Sequence, residues 1–170
     1  MCAARQRPDR DATDPKVEVI RAPTVAIIDD DVELAKAVGR VLRANYRCIV
    51  NGYTSVEEFL AGVDKIPSAR KPVGDVDLIL LDFHLPGKDG PKLVCELKKR
   101  GSPMLEKTAI MGITADDQPV VYNGFKAAGI VDVLLKPLRA LDYHRIAEQA
   151  YRVCSGGMPP AMKGRIDRLI

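Results

Sequence analysis

No stretch of this chain approaches the roughly 20 consecutive apolar residues that a membrane helix needs. Nor does Met1–Pro23 contain an apolar segment of the secretory kind, since Arg5, Arg7, Arg10 and Lys16 alternate there with Asp9, Asp11 and Asp14. A cytoplasmic address is the default expectation for such an opening. The 4 cysteines (Cys2, Cys48, Cys95, Cys154) lie far apart, with no CxxC pair and no histidine at metal spacing. They read as buried small hydrophobes or idle thiols rather than as a zinc site or a disulfide framework. A basic stripe is missing too. The net charge is +3, but residues 24–153 hold 18 basic and 18 acidic side chains and sum to zero. Direct nucleic-acid binding by the folded part is therefore not expected. There is no internal repeat, and no GxGxxG follows the first apolar run, which argues against a dinucleotide-binding domain.

What remains is an ordinary globular composition, 46% hydrophobic and 29% charged over 170 residues, enough for one domain with its own core. The pattern along it alternates. Short apolar runs ending in a polar residue predict buried strands at Thr24–Asp29, Arg47–Asn51, Asp77–Asp82, Thr108–Ile113 and Ile130–Leu135. Between them lie helical patterns. Asp31 can cap one in which Leu34, Val38, Val41 and Leu42 share a face. Thr54 or Ser55 opens a second, with Glu57 and Glu58 in its first turn. A third begins at Pro91 and stops at Gly101, and a fourth runs from Asp116 to Ala128, with Gly129 as its stop. The last carries Tyr143, Ile146, Ala147, Ala150, Tyr151 and Cys154 on one face. Lys65–Asp75 reads as a loop, and Ser155–Pro160 as a frayed exit. The expected division is a tail over 1–23, a domain over 24–153 and a tail over 154–170.

Strands alternating with helices predict an α/β fold, a five-stranded parallel sheet flanked by five helices. Ligands of such sheets bind at the carboxyl ends of the strands. That edge collects Asp29 and Asp30, Asp82, Thr114 and Lys136. Three carboxylates against one ammonium leave an excess of negative charge that a hard cation relieves, and Mg2+ suits oxygen ligands of this kind. Asp82 can serve as a carboxylate nucleophile forming an aspartyl-phosphate. Lys136 and Thr114 are suited to the phosphoryl oxygens, one as a point charge and the other as a hydrogen-bond donor.

The segments VAIIDDD, DLILLDFHLPGKDG, AIMGITA and VDVLLKP resemble, in order, the signature segments of response-regulator receiver domains. The likeness spans roughly Thr24–Val153. It implies the flavodoxin-like strand order 2-1-3-4-5 and a cis peptide before Pro137. It also implies Asp82 as phosphoacceptor, Asp29 and Asp30 as the acidic pair, and Mg2+ held by Asp29, Asp30, Asp82 and the His84 backbone carbonyl. Thr114 takes the place of the switch hydroxyl and Lys136 that of the phosphate-pairing lysine. His84 and Asp116 fall where the family tunes loss of the phosphoryl group. Val133 falls where it usually places a switch tyrosine or phenylalanine, a departure that puts signalling through that surface in question. The implied role is that of a bacterial two-component signalling domain rather than an enzyme in its own right. Its expected partners are a sensor histidine kinase or a histidine phosphotransfer protein and a downstream protein, with no membrane partner. Only Ser155–Ile170 follows the last helix, so a stand-alone regulator or phosphorelay shuttle is expected. A homodimer through Tyr143, Ala147 and Tyr151 of that helix is a further expectation. A haloacid-dehalogenase-type hydrolase, the rival with the same nucleophile, expects a second acid where His84 stands. An unphosphorylated scaffold is the other rival, disfavoured by the intact Asp30, Asp82, Thr114 and Lys136.

Overall fold

The computed structural model describes residues 21–64, 76–99, 107–130 and 132–163. The Lys65–Asp75 loop, the Gly101 helix stop, residues 1–20 of the expected N-terminal tail and residues 164–170 of the C-terminal one lie outside them.

Strands β1 (Thr24–Ile28) and β3 (Leu78–Asp82) are buried at every residue, as an unbroken apolar run demands when helices cover both faces of a sheet. With β2 (Ile49–Tyr53), β4 (Ala109–Thr114) and β5 (Val133–Leu135) they form a parallel sheet in the order β2-β1-β3-β4-β5. Alternation along each strand sorts the core into two layers. Val25, Ile27, Leu78 and Leu80 face α1 (Val32–Tyr46) and α5 (Ala140–Ser155). Ala26, Ile28, Ile79 and Leu81 face α2 (Val56–Asp64), α3 (Gly90–Lys99) and α4 (Pro119–Ala127). The connection reverses direction between β1 and β3, so the crevice at their carboxyl ends is the natural ligand site.

Asp31 caps α1 as expected, its carboxylate accepting from the Glu33 and Leu34 N–H groups. Burial pushes the Cys48 thiol up to about 12. That keeps it a neutral, packed group, in line with the reading of the cysteines.

Several boundaries differ from the sequence reading. β2 begins at Ile49 rather than Arg47, because Arg47 closes α1 in the left-handed conformation (φ 55°) and Cys48 N–H still bonds the Leu42 carbonyl. α4 begins at Pro119 rather than Asp116. The Asp116 N–H is taken by the Thr114 hydroxyl and the Gln118 N–H by the Asp116 carboxylate, which makes a turn of residues 114–118. β5 is shorter than Ile130–Leu135, since Ile130 N–H still bonds the Phe125 carbonyl at the end of α4. Residues 84–89 add a two-residue antiparallel ladder, His84–Leu85 against Lys88–Asp89.

The C-terminal exit is not frayed where described. Gly156 closes α5 with φ 76°, the chain turns back, and a short α6 (Pro160–Lys163) follows. Met158 and Met162 are buried in the same core layer as Tyr46 and Cys48. The apolar strip expected on α5 is likewise interior. Ala147 and Tyr151 are buried, and the Tyr151 hydroxyl donates to the Tyr46 carbonyl at 2.9 Å, tying α5 to α1. Tyr143 is half-buried against that layer, so these three residues do not form an outward dimer face.

Candidate functional site

The acids of the site are placed by strand ends. Asp29 follows β1, and its N–H bonds the Tyr53 carbonyl at 3.0 Å, so the sheet ladder continues into the site. Its carboxylate is fully buried and accepts from the Asp31 N–H at 2.9 Å. Asp82 ends β3, with one oxygen accepting from the His84 N–H at 3.0 Å. Lys136 follows β5, across a cis bond to Pro137, and its ammonium reaches Asp29 at 2.7 Å and Asp82 at 2.9 Å. Carboxylate oxygens of Asp29, Asp30 and Asp82 all lie within 4.8 Å of one another. Asp30 is exposed, whereas the other two are buried.

The electrostatics follow from this crowding. Burial holds the Asp29 carboxyl above its usual range, outweighing the bonds from Lys136 and the Asp31 N–H. Burial works against the Lys136 ammonium, but hydrogen bonds and charges from Asp29 and Asp82 together outweigh it and raise its pKa. Among the described residues one cation thus faces three carboxylates. The unbalanced charge and the hard oxygen donors fit a divalent ion such as Mg2+.

Thr114 is buried at the end of β4, one residue beyond the Ile113 that pairs with Asp82. Its carbonyl accepts from the Lys136 N–H at 2.7 Å, which links the ends of β4 and β5. Its hydroxyl oxygen accepts from the Asp116 N–H at 3.1 Å, which leaves the hydroxyl proton available to donate elsewhere. His84 and Asp116 flank the crevice, the imidazole Nε2 lying 3.8 Å from the Asp116 carboxylate. Val133 is half-buried against the layer containing Phe125.

In the sequence Gly90 reads only as part of a turn. A Cβ there would lie 2.2 Å from the Asp82 backbone carbonyl, so only glycine lets α3 begin against the acceptor strand. Phe83 is the other unannounced neighbour. Its ring packs edge-on to those of His84 and Phe125, at centroid distances of 4.9 and 5.2 Å. A lone aromatic residue after the acceptor carries no spacing signal that would have distinguished it from core.

A doubly wound sheet with carboxylates and one lysine gathered at its reversal point is the architecture of a phosphoryl-accepting α/β domain. The family model described as the response regulator receiver domain matches residues 25–148, and the chain belongs to that signalling family. The sensor histidine kinase AruS of Pseudomonas aeruginosa is 41% identical over 69 residues, covering 41% of this chain and 7% of that protein. The two-component response regulator ORR8 of Oryza sativa subsp. indica is 29% identical over 126 residues, 74% of this chain and 95% of its own length. Among solved structures, a response regulator receiver protein from Burkholderia phymatum superimposes with a TM-score of 0.61 at 28% identity, covering 81% of this chain and 98% of that one. Among the described residues no helix is long and apolar enough to cross a membrane.

Proposed function

We propose that this chain takes a phosphoryl group onto Asp82 from the phosphohistidine of a sensor kinase or phosphotransfer protein and transmits that state by protein contact. The observation that carries the reading is the Lys136 ammonium bridging Asp29 and Asp82 at the mouth of the β1–β3 crevice.

An Asp82 carboxylate oxygen attacks phosphorus, a P–O bond forms, and the P–N bond to the donor imidazole breaks, its electron pair leaving with the imidazole nitrogen. Lys136 offsets charge on the transferred oxygens, and the Thr114 hydroxyl, already an acceptor from Asp116 N–H, donates its proton to one of them. The oxygens of Asp29, Asp30 and Asp82, with the His84 carbonyl, are those that would hold Mg2+, which supplies charge compensation when bound. The near-neutral charge of residues 24–153 favours a protein partner over nucleic acid for the output.

His84 and Asp116 belong to the same proposal as the pair that governs hydrolysis. They flank the opening through which water reaches the acyl phosphate, and the imidazole can orient or exclude that water. The phosphoryl lifetime of His84→Ala is expected to differ from wild type, and identical lifetimes would leave the side chain without a kinetic role. Transfer itself is tested with a phosphorylated histidine phosphotransfer protein. Label should move to the chain in Mg2+ and not in EDTA, and transfer that is unimpaired in EDTA contradicts the metal part of the reading.

A further inference from the structure

Two glycines stand where regular structure disfavours them. Gly124 lies inside α4, where glycine weakens a helix, and Gly112 inside β4, where it leaves a strand without a side chain to pack. Each is occupied by a phenyl ring. A Cβ on Gly124 would lie 2.9 Å from the Phe83 ring, and one on Gly112 would lie 2.8 Å from the Phe125 ring. The two rings touch one another edge-to-face at 5.2 Å and 71°.

These contacts join the site to one helix. Phe83 directly follows Asp82, and its N–H bonds the carbonyl of Ile113, the residue between Gly112 and Thr114. Phe125 is borne by α4 and sits on β4 two residues before Thr114. α4 therefore meets the acceptor strand through Phe83 on Gly124 and meets the Thr114 strand through its own Phe125 on Gly112. Among the described residues its C-cap is held as well, the Lys98 ammonium donating to the Ala128 carbonyl at 2.7 Å. Of its residues only Val121 and Phe125 are buried, and Gln118 at its N-terminus makes no side-chain capping bond.

We propose that occupancy of Asp82 is read out by α4 through the Phe83–Phe125 pair, Phe83 being the positioning residue that couples acceptor to helix. The proposal rests on Asp82 as the acceptor. A displacement of the β3 end on phosphorylation moves the Phe83 ring against its Gly124 socket, and a displacement of Thr114 moves the Gly112 socket against Phe125. Close-packed rings cannot absorb that motion by compression, so the helix shifts with them. The aliphatic Val133 leaves this pair as the aromatic link between the crevice and α4 among the described residues.

The test uses the full chain with beryllofluoride and Mg2+ as the probe of the occupied state. Binding is followed by fluorine NMR and the α4 amides by hydrogen exchange. In wild type, α4 exchange should change on the order of tenfold on binding. Phe83→Leu and Gly124→Ala should bind the probe within about twofold of wild type and lose that change. Gly124→Ala guards against misfolding, because alanine favours the helix while its methyl displaces the ring. A wild-type α4 response in Phe83→Leu overturns the coupling, as does probe binding by wild type with α4 exchange unaltered. Failure of wild type to bind the probe overturns the acceptor reading and this inference with it.

Discussion

At the residue scale the site is an arrangement of charge around Lys136. Removing the ammonium leaves buried Asp29 and Asp82 facing each other, and stripping one partner from a buried ionic cluster costs about 3 kcal/mol. Lys136→Ala should show that loss in chemical denaturation at neutral pH. The deficit should shrink as pH falls through the carboxylate range, because protonation relieves the repulsion that the lysine no longer offsets. The wild-type signs follow from the shifts. Lys136 titrates higher in the folded chain than in the unfolded one. Its contribution is therefore complete at neutral pH and is lost as pH climbs through its raised value. Asp29 is also raised, so its ionisation opposes folding at neutral pH, and that penalty is relieved as acid protonates it. Asp29, Asp82, Thr114 and Lys136 were readable because each stands where an apolar run stops, and strand ends of a parallel sheet share one edge. Gly90 was not, because its requirement is a contact with a backbone oxygen eight residues earlier, and nothing local shows what faces the missing Cβ.

Elements were readable in kind and less so in extent. Periodicity identifies the α1 face correctly, since Val38 and Leu42 are fully buried. It does not reveal that Arg47 adopts φ 55°, a conformation that no feature of an arginine side chain announces. A left-handed conformation penalises any residue with a Cβ, while glycine loses more freedom on folding. Arg47→Gly should therefore stabilise the domain by about 0.5 kcal/mol in equilibrium unfolding. A loss of stability instead would show that the arginine side chain contributes more than its backbone costs. The late starts of β2 and α4 have a common cause. Local hydrogen bonds at Cys48 and Asp116 compete with the regular ladder for the same N–H groups, and residue-type preferences do not rank such competitors.

For the whole molecule, the alternation of buried strands and amphipathic helices made the α/β class legible, and the likeness of the signature segments supplied the strand order. The return of the chain after α5 was hidden, because Gly156, Gly157, Pro159 and Pro160 read as punctuation. Their effect is to turn Met158 and Met162 onto the core. Replacing both with alanine should cost about 3 kcal/mol, measured by thermal or denaturant unfolding. Stability unchanged by the double substitution would return that segment to the status of a tail. The burial of Ala147 and Tyr151 has a molecular consequence as well. Any self-association must use other surfaces than the α5 face that the periodicity suggested.

The central claim is that Asp82 carries the phosphoryl group, and intact-mass measurement after incubation with acetyl phosphate and Mg2+ tests it most directly. Wild type should gain one phosphoryl group, sensitive to hydroxylamine as an acyl phosphate is, and Asp82→Asn should gain none. A phosphoryl adduct of wild-type extent on Asp82→Asn would contradict the account.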